Sequence, residues 1–180
     1  MYGVVHGGVE KDLRKHSLDY ITSLPFDGFC IGGSLGGSRR EMVEMLGDVM
    51  RDYNEIQGSW DRTKPVHLLG IADESSILET VHMGIDTFDS CYPTRLARHG
   101  TILTKGGKVH IKSRKHQREY GIPLDKDCNC TTCQQVDRAY LNHLYKAKEP
   151  TFYQYAIVHN VSYMNKLMED VREKILNDEI

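Results

Sequence analysis

Cys128, Cys130 and Cys133 place three thiols within six residues of a polar, charged stretch, KDCNCTTCQQ. Disulfides between such near neighbours are geometrically poor, and clustered surface thiols are chemically vulnerable, so metal ligation is the better reading. Zinc in a closed structural site takes four tetrahedral nitrogen or sulfur ligands. Nine histidines compete for the fourth place. His143 falls inside a helical stretch. His159 stands in IVHN, where an apolar run meets the last helix, and completes the pattern C-x-C-x-x-C, 25 residues, His. From spacing alone, His159 is one candidate among several. A second chemical group is Asp89 in TFDS, a carboxylate at the end of an expected strand. Read by itself, it fits a cap of the loop that follows.

The elements that must position these groups can be traced from hydrophobic periodicity. YGVV (2–5), DGFCI (27–31), VHLLGI (66–71) and IDTF (85–88) read as strands. Between them, stretches 9–24, 40–56 and 74–84 carry apolar residues at helical spacing, and QGSWDRTKP (57–65) reads as a loop. This alternating order predicts a parallel sheet with helical crossovers. After residue 90 the texture changes, which suggests two parts, 1–90 and 91–180. From Ser90 to Arg118 there is no Asp or Glu but there are eight Lys and Arg. TILTKGGKVHIKS (101–113) reads as a hairpin turning at Gly106-Gly107. Residues 134–148 read as a helix, 152–158 as a strand or the start of a helix, and 163–176 as a closing helix.

The composition, 39% apolar and 27% charged over 180 residues, is that of a chain able to bury a sizeable core. A formal net charge of −2 excludes an electrostatic nucleic-acid binder overall, so any such role must come from a local patch. No apolar run reaches the roughly 18 residues of a membrane span and no signal peptide opens the chain, so a cytoplasmic protein without a membrane partner is expected.

GIDTFDSCYPTRLARHGT (84–101), PLDKDCNCTTC (123–133), RAYLNHLYKA (138–147) and HN (159–160), with VVHGGVEKDLR and FDGFCIGGSLGG upstream, resemble the tRNA-guanine transglycosylases, or queuine tRNA-ribosyltransferases. The resemblance runs along essentially the whole chain. It implies the C-terminal half of a TIM (β/α)8 barrel with a zinc-binding insertion, since a complete barrel takes about 250 residues. It also implies exchange of guanine at the wobble position of tRNA with a GUN anticodon for queuine or a related deazaguanine. One structural zinc ion held by Cys128, Cys130, Cys133 and His159 is implied as well.

The resemblance assigns Asp89 as the nucleophile at ribose C1′, at the strand end where TIM-barrel chemistry occurs. Asp86, three residues earlier, points to the other face and is not a second acid. Base contacts are implied for His6, Gly32, Gly33, Ser34, Gly36, Leu69 and Gly70. His6 replaces the family's usual Gln, and a buried structural histidine is the competing reading. Leu69 could equally serve only the core. Gly36, where a bulkier valine is common in bacterial enzymes, suggests room for queuine. RNA contacts are implied for Gly70, Ile71, Ala72, Asp73, Glu74, Ser75 and Ser76, and for Thr94, Arg95, Leu96, Ala97 and Arg98. The basic stretch 90–118 is the expected footprint on the tRNA backbone, although its individual lysines read as a solvated hairpin. The family's second aspartate, a general acid/base from an early strand, is expected on a missing N-terminal half or partner subunit. An oligomer, a dimer among the options, is expected. The alternative is a non-catalytic, zinc-stabilised tRNA-binding or partner subunit.

Overall fold

The computed structural model describes residues 1–56 and 64–180, so most of the expected loop 57–65 lies outside the described residues. The chain divides into two compact units, Met1–Ser90 and Cys91–Ile180.

The first unit runs β1 (Tyr2–Val5), α1 (Lys11–Thr22), β2 (Gly28–Ile31), α2 (Arg39–Ile56), β3 (Val66–Leu68), α3 (Glu74–Thr80) and β4 (Thr87–Phe88). The four strands pair in parallel in the order β1-β2-β3-β4. Each helix lies between successive strands, as the alternating periodicity predicts. All four residues of β2 are buried, which suits a strand flanked on both sides. α2 buries Met42, Met45, Leu46, Val49, Met50 and Tyr53, a 3-1-3-1-3 spacing that lays one apolar stripe on the sheet. These side chains, with Val5, Phe29, Ile31, Val66, Leu68 and Ile85, form the core of the unit.

Two expected strands are shorter than the apolar runs suggest: 66–71 leaves the sheet after Leu68 to build a loop, and 85–88 joins it only at Thr87. The expected helix 74–84 closes in a 3-10 turn, Val81–Met83, capped by the left-handed Gly84 (φ 99°).

Register is what places the site. Val5 pairs with Ile31, Ile31 with Leu68, and Leu68 with Phe88. The residues that follow these four, His6, Gly32, Leu69 and Asp89, therefore leave the sheet at one level, at the C-terminal ends of adjacent strands.

The second unit contains α4 (Tyr92–Arg98), β5 (Thr101–Thr104), β6 (Gly107–His110), α5 (Thr131–Gln135), α6 (Arg138–Ala147) and α7 (Pro150–Leu176). β5 and β6 form an antiparallel hairpin in which Thr104 pairs with Gly107. The turn is therefore Lys105-Gly106, one residue earlier than the glycine pair suggests. The stretch 134–148 is not one helix. Val136 is extended, and Asp137 caps a new helix by accepting the Tyr140 N–H at 2.7 Å. The stretches 152–158 and 163–176 belong to the single helix α7, with Pro150 in its first turn. Ala97, Ile102, Ile111, Leu124, Leu141, Leu144, Phe152 and Ala156 form the core here. Asn160 staples it: its Oδ1 accepts the Leu103 N–H at 2.9 Å, and its Nδ2 donates to Pro93 O and Thr101 O, each at 3.0 Å. Among the described residues no helix is long and apolar enough to cross a membrane.

Candidate functional site

In the first unit, contacts link the strand ends into a continuous rim. A side chain on Gly33 would bring its Cβ within 3.1 Å of His6 Nδ1, so the imidazole sits against the bare glycine. His6 itself is exposed, which removes the reading as a buried structural histidine. Gly32 meets Leu69 in the same way: a Cβ there would stand 2.6 Å from Leu69 Cδ1. Leu69 is only half-buried, so part of its side chain stays open outside the core. Next to it, Gly70 donates its N–H to Asp89 Oδ1 at 3.1 Å. His6, Gly33, Gly32, Leu69, Gly70 and Asp89 thus follow one another around the rim.

Asp89 is exposed and held by one oxygen. Besides the Gly70 amide, His67 Nε2 lies 3.0 Å from Oδ1, while His67 Nδ1 lies 2.8 Å from Thr87 Oγ1. An ionised carboxylate can only accept, so Nε2 carries a proton; in the neutral ring, Nδ1 then accepts from the Thr87 hydroxyl. Among the described residues Oδ2 receives no hydrogen bond, which leaves it available to an electrophile. His67 was not among the residues expected to act. The visible signal was its pairing with Thr87, two residues before Asp89 on the same strand face, and that pairing appears only once the register is known. Asp86 accepts the Val66 N–H at 2.7 Å and so anchors the start of β3.

Gly36 has a local reason to be glycine. Its φ is +103°, and a Cβ would lie 2.9 Å from the Glu41 carboxylate, which accepts the Gly37 N–H at 2.7 Å. The inference from Gly36 to a roomier base therefore loses its force. Ser34 is exposed at the tip of the same loop.

The residues expected to meet RNA divide by burial. Asp73 caps α3 by accepting the Ser76 N–H at 3.2 Å and pairs with Arg39 at 3.2 Å, and Ser76 is buried. Ala97 is fully buried in the second core. The side chains of Ser76 and Ala97 are thus committed to the fold. Glu74, Ser75, Arg95 and Arg98 are exposed, Ile71, Ala72, Thr94 and Leu96 half-buried, and Thr94 donates its hydroxyl to Cys91 O at 3.0 Å.

In the second unit, one atom each from Cys128, Cys130, Cys133 and His159 lies within 4.8 Å of the others. His143 is exposed on α6 and lies outside this group. His159 Nδ1 stands 3.3 Å from Cys133 Sγ and 3.5 Å from Cys130 Sγ. A tetrahedral ion with Zn–S near 2.3 Å and Zn–N near 2.0 Å would put such atoms about 3.5 Å apart. The orientation fits too. His159 Nε2 is 2.7 Å from Leu103 O, a group that only accepts, so the proton sits on Nε2 and the Nδ1 lone pair faces the thiols. The cluster fits a Cys3His zinc site. Burial pushes the His159 pKa down and the Cys133 thiol up to about 12, with Cys128 raised for the same reason. Both thiols are therefore protonated at neutral pH until a metal displaces the protons. Asp125, also unforeseen, braces the loop: its carboxylate accepts the N–H of Lys105 at 2.7 Å and of Asp127 at 3.0 Å.

The chain matches the family model described as queuine tRNA-ribosyltransferase over residues 1–180. It is 46% identical over its whole length to a protein of Chlamydia caviae named queuine tRNA-ribosyltransferase. Identities to proteins of the same name are 44% for Chlamydia abortus and 46% for Chlamydia felis. The chain spans about half the length of these curated relatives, 46% in each case. By this match along all its residues, the chain belongs to the queuine tRNA-ribosyltransferase family.

Proposed function

We propose that this chain supplies the nucleophile, part of the base rim and the zinc-stapled subdomain of a tRNA-guanine transglycosylase. Its four parallel strands would form the C-terminal half of a (β/α)8 barrel, and the segment around the thiols its zinc-binding insertion. The observation that carries this reading is Asp89, exposed at the end of β4 with Oδ1 held by Gly70 and His67 and Oδ2 without a partner among the described residues.

On this reading Asp89 Oδ2 attacks ribose C1′ of the wobble nucleotide. The C1′–O bond forms as the C1′–N9 bond to guanine breaks, and the electron pair leaves with the purine, which takes up a proton. An incoming queuine or related deazaguanine then attacks C1′ through its ring nitrogen, loses a proton, and releases the Asp89 carboxylate. The proton carrier is a second carboxylate outside these residues, on the other barrel half or a partner subunit. His6, Gly33, Leu69 and Gly70 would line the base. Arg95 and Arg98, with the basic stretch 90–118, would meet the tRNA backbone. Zinc held by Cys128, Cys130, Cys133 and His159 would fix α5 against α7 and take no part in the chemistry. An oligomer acting in the cytoplasm completes the proposal.

Covalent trapping tests it. The chain is mixed with a guanine-containing anticodon stem-loop and a deazaguanine, with and without the complementary half of a relative. A denaturation-resistant adduct, lost in Asp89→Ala, is expected. Stem-loop binding without any adduct in either mixture would instead identify a non-catalytic binding subunit.

A further inference from the structure

Arg14 is among the largest side chains buried in the chain, only 2% exposed, and its guanidinium forms no ion pair among the described residues. All three of its nitrogens donate to backbone carbonyls. Nε reaches Gly8 O at 2.7 Å, one terminal nitrogen reaches Val5 O at 2.8 Å, and the other reaches Ser34 O at 3.0 Å. Burying a cation without a counter-charge is costly, and here desolvation lowers its pKa. The three bonds offset that cost, so what the fork holds together is the feature to explain.

The three carbonyls belong to two separate strand-end segments. Val5, the last residue of β1, and Gly8, on the loop that follows, bracket His6, whereas Ser34 lies on the loop after β2, directly following Gly32 and Gly33. The first loop is pressed onto the start of α1: a Cβ on Gly7 would lie 2.6 Å from the Arg14 backbone nitrogen, and the His6 N–H donates to Ser17 Oγ at 3.0 Å. From α1, the Arg14 fork then reaches across to the second loop. We propose that Arg14 is a positioning residue which locks the His6 loop to the Gly32–Ser34 loop and so fixes the width of the base-reading rim. The planar guanidinium suits this task because its donors diverge at fixed angles, whereas a lysine ammonium can satisfy fewer of the three carbonyls and does not set their spacing.

This inference rests on the proposed base site, and the experiment separates the two. Guanine is titrated into the chain and into Arg14→Lys and Arg14→Met, with the anticodon stem-loop as a second ligand. Amide exchange is followed at Gly7, Gly8 and Gly32–Gly36. Expected are guanine binding weaker by about tenfold in Arg14→Met and by less in Arg14→Lys, with faster exchange confined to both loops. Stem-loop affinity should stay within about twofold, because a general loss of structure would weaken both ligands together. Unchanged guanine affinity, or equal weakening of guanine and stem-loop, overturns the proposal. If the variants do not fold, the wild type decides: guanine must slow exchange of the Arg14 Nε proton, and no slowing counts against the clamp. A wild-type chain that binds no guanine even with the complementary half present removes the base site itself, and the clamp with it.

Discussion

At Asp89 one carboxylate oxygen accepts two hydrogen bonds and the other none among the described residues. The arrangement fixes the carboxylate plane while leaving one oxygen to react. Hydrogen bonds to a charged group contribute about 1.5–3 kcal/mol each, or roughly 10- to 100-fold in a rate that depends on that orientation. Replacing His67 by Leu is therefore expected to slow adduct formation by about that factor, with little change in the stem-loop concentration needed for half-saturation. His67→Gln keeps an N–H near the position of Nε2 and should recover most of the rate. Single-turnover trapping of the three proteins checks this; equal rates for the wild-type and His67→Leu chains would deny His67 the role. Asp89 was legible through the words around it, since TFDS alone reads as a loop cap. His67 was not, because its role depends on the β3–β4 register, which an intervening helix and turn set and which no local pattern reveals.

The helices of the first unit were readable because each carries an apolar stripe, and α2 is the clearest case. Local pattern failed where tertiary bonds override it. The helix expected over 134–148 breaks because Asp137 uses both carboxylate oxygens, one for the Tyr140 N–H and one for the Gly121 N–H at 2.8 Å. The stretch 152–158 reads as a strand or the start of a helix, and it lies within α7, where the following His159 and Asn160 are fully buried and bonded across to β5. The thiol cluster ties these elements together and predicts an unusual pH response. In the metal-free fold Cys133 is raised to about 12, well above an ordinary thiol near 8.5, so the folded chain holds a proton that the unfolded chain releases. That contribution to stability is complete below about pH 8.5 and declines as pH rises towards 12. Zinc reverses the trend, because its binding displaces thiol protons and tightens with rising pH. Thermal melts of zinc-loaded and chelator-treated chain at pH 7, 8.5 and 9.5 should show a gap in Tm that widens with pH. A gap that stays constant or narrows would mean the thiols do not carry a metal.

Across the whole molecule, charge and architecture make separate demands. The net charge is −2, yet the acid-free stretch 90–118 concentrates eight Lys and Arg, some of them on the exposed strand β6 and on α4. Any grip on tRNA must therefore be local and salt-sensitive, and stem-loop affinity is expected to fall steeply between 50 and 200 mM salt, at about 0.7 of a logarithmic unit per phosphate contacted and decade of salt. On the proposed reading, binding of this kind rests mainly on that stretch. Chemistry needs more. Among the described strands, β1 and β4 each have a neighbour on one side only, and the chain spans 46% of the length of its relatives. Composition and periodicity could indicate a parallel α/β sheet, but they cannot state how many strands close it; the barrel reading came from motif resemblance. If a second carboxylate on the complementary half carries the proton, adding that half should raise base exchange by about 10²- to 10⁴-fold, the usual contribution of a general acid/base. Stem-loop affinity should change far less. Radiolabelled guanine exchange into the stem-loop, measured for the chain alone and for the mixture, gives both numbers. Full exchange by the chain alone would place the proton carrier within these 180 residues, with His6 the first group to replace.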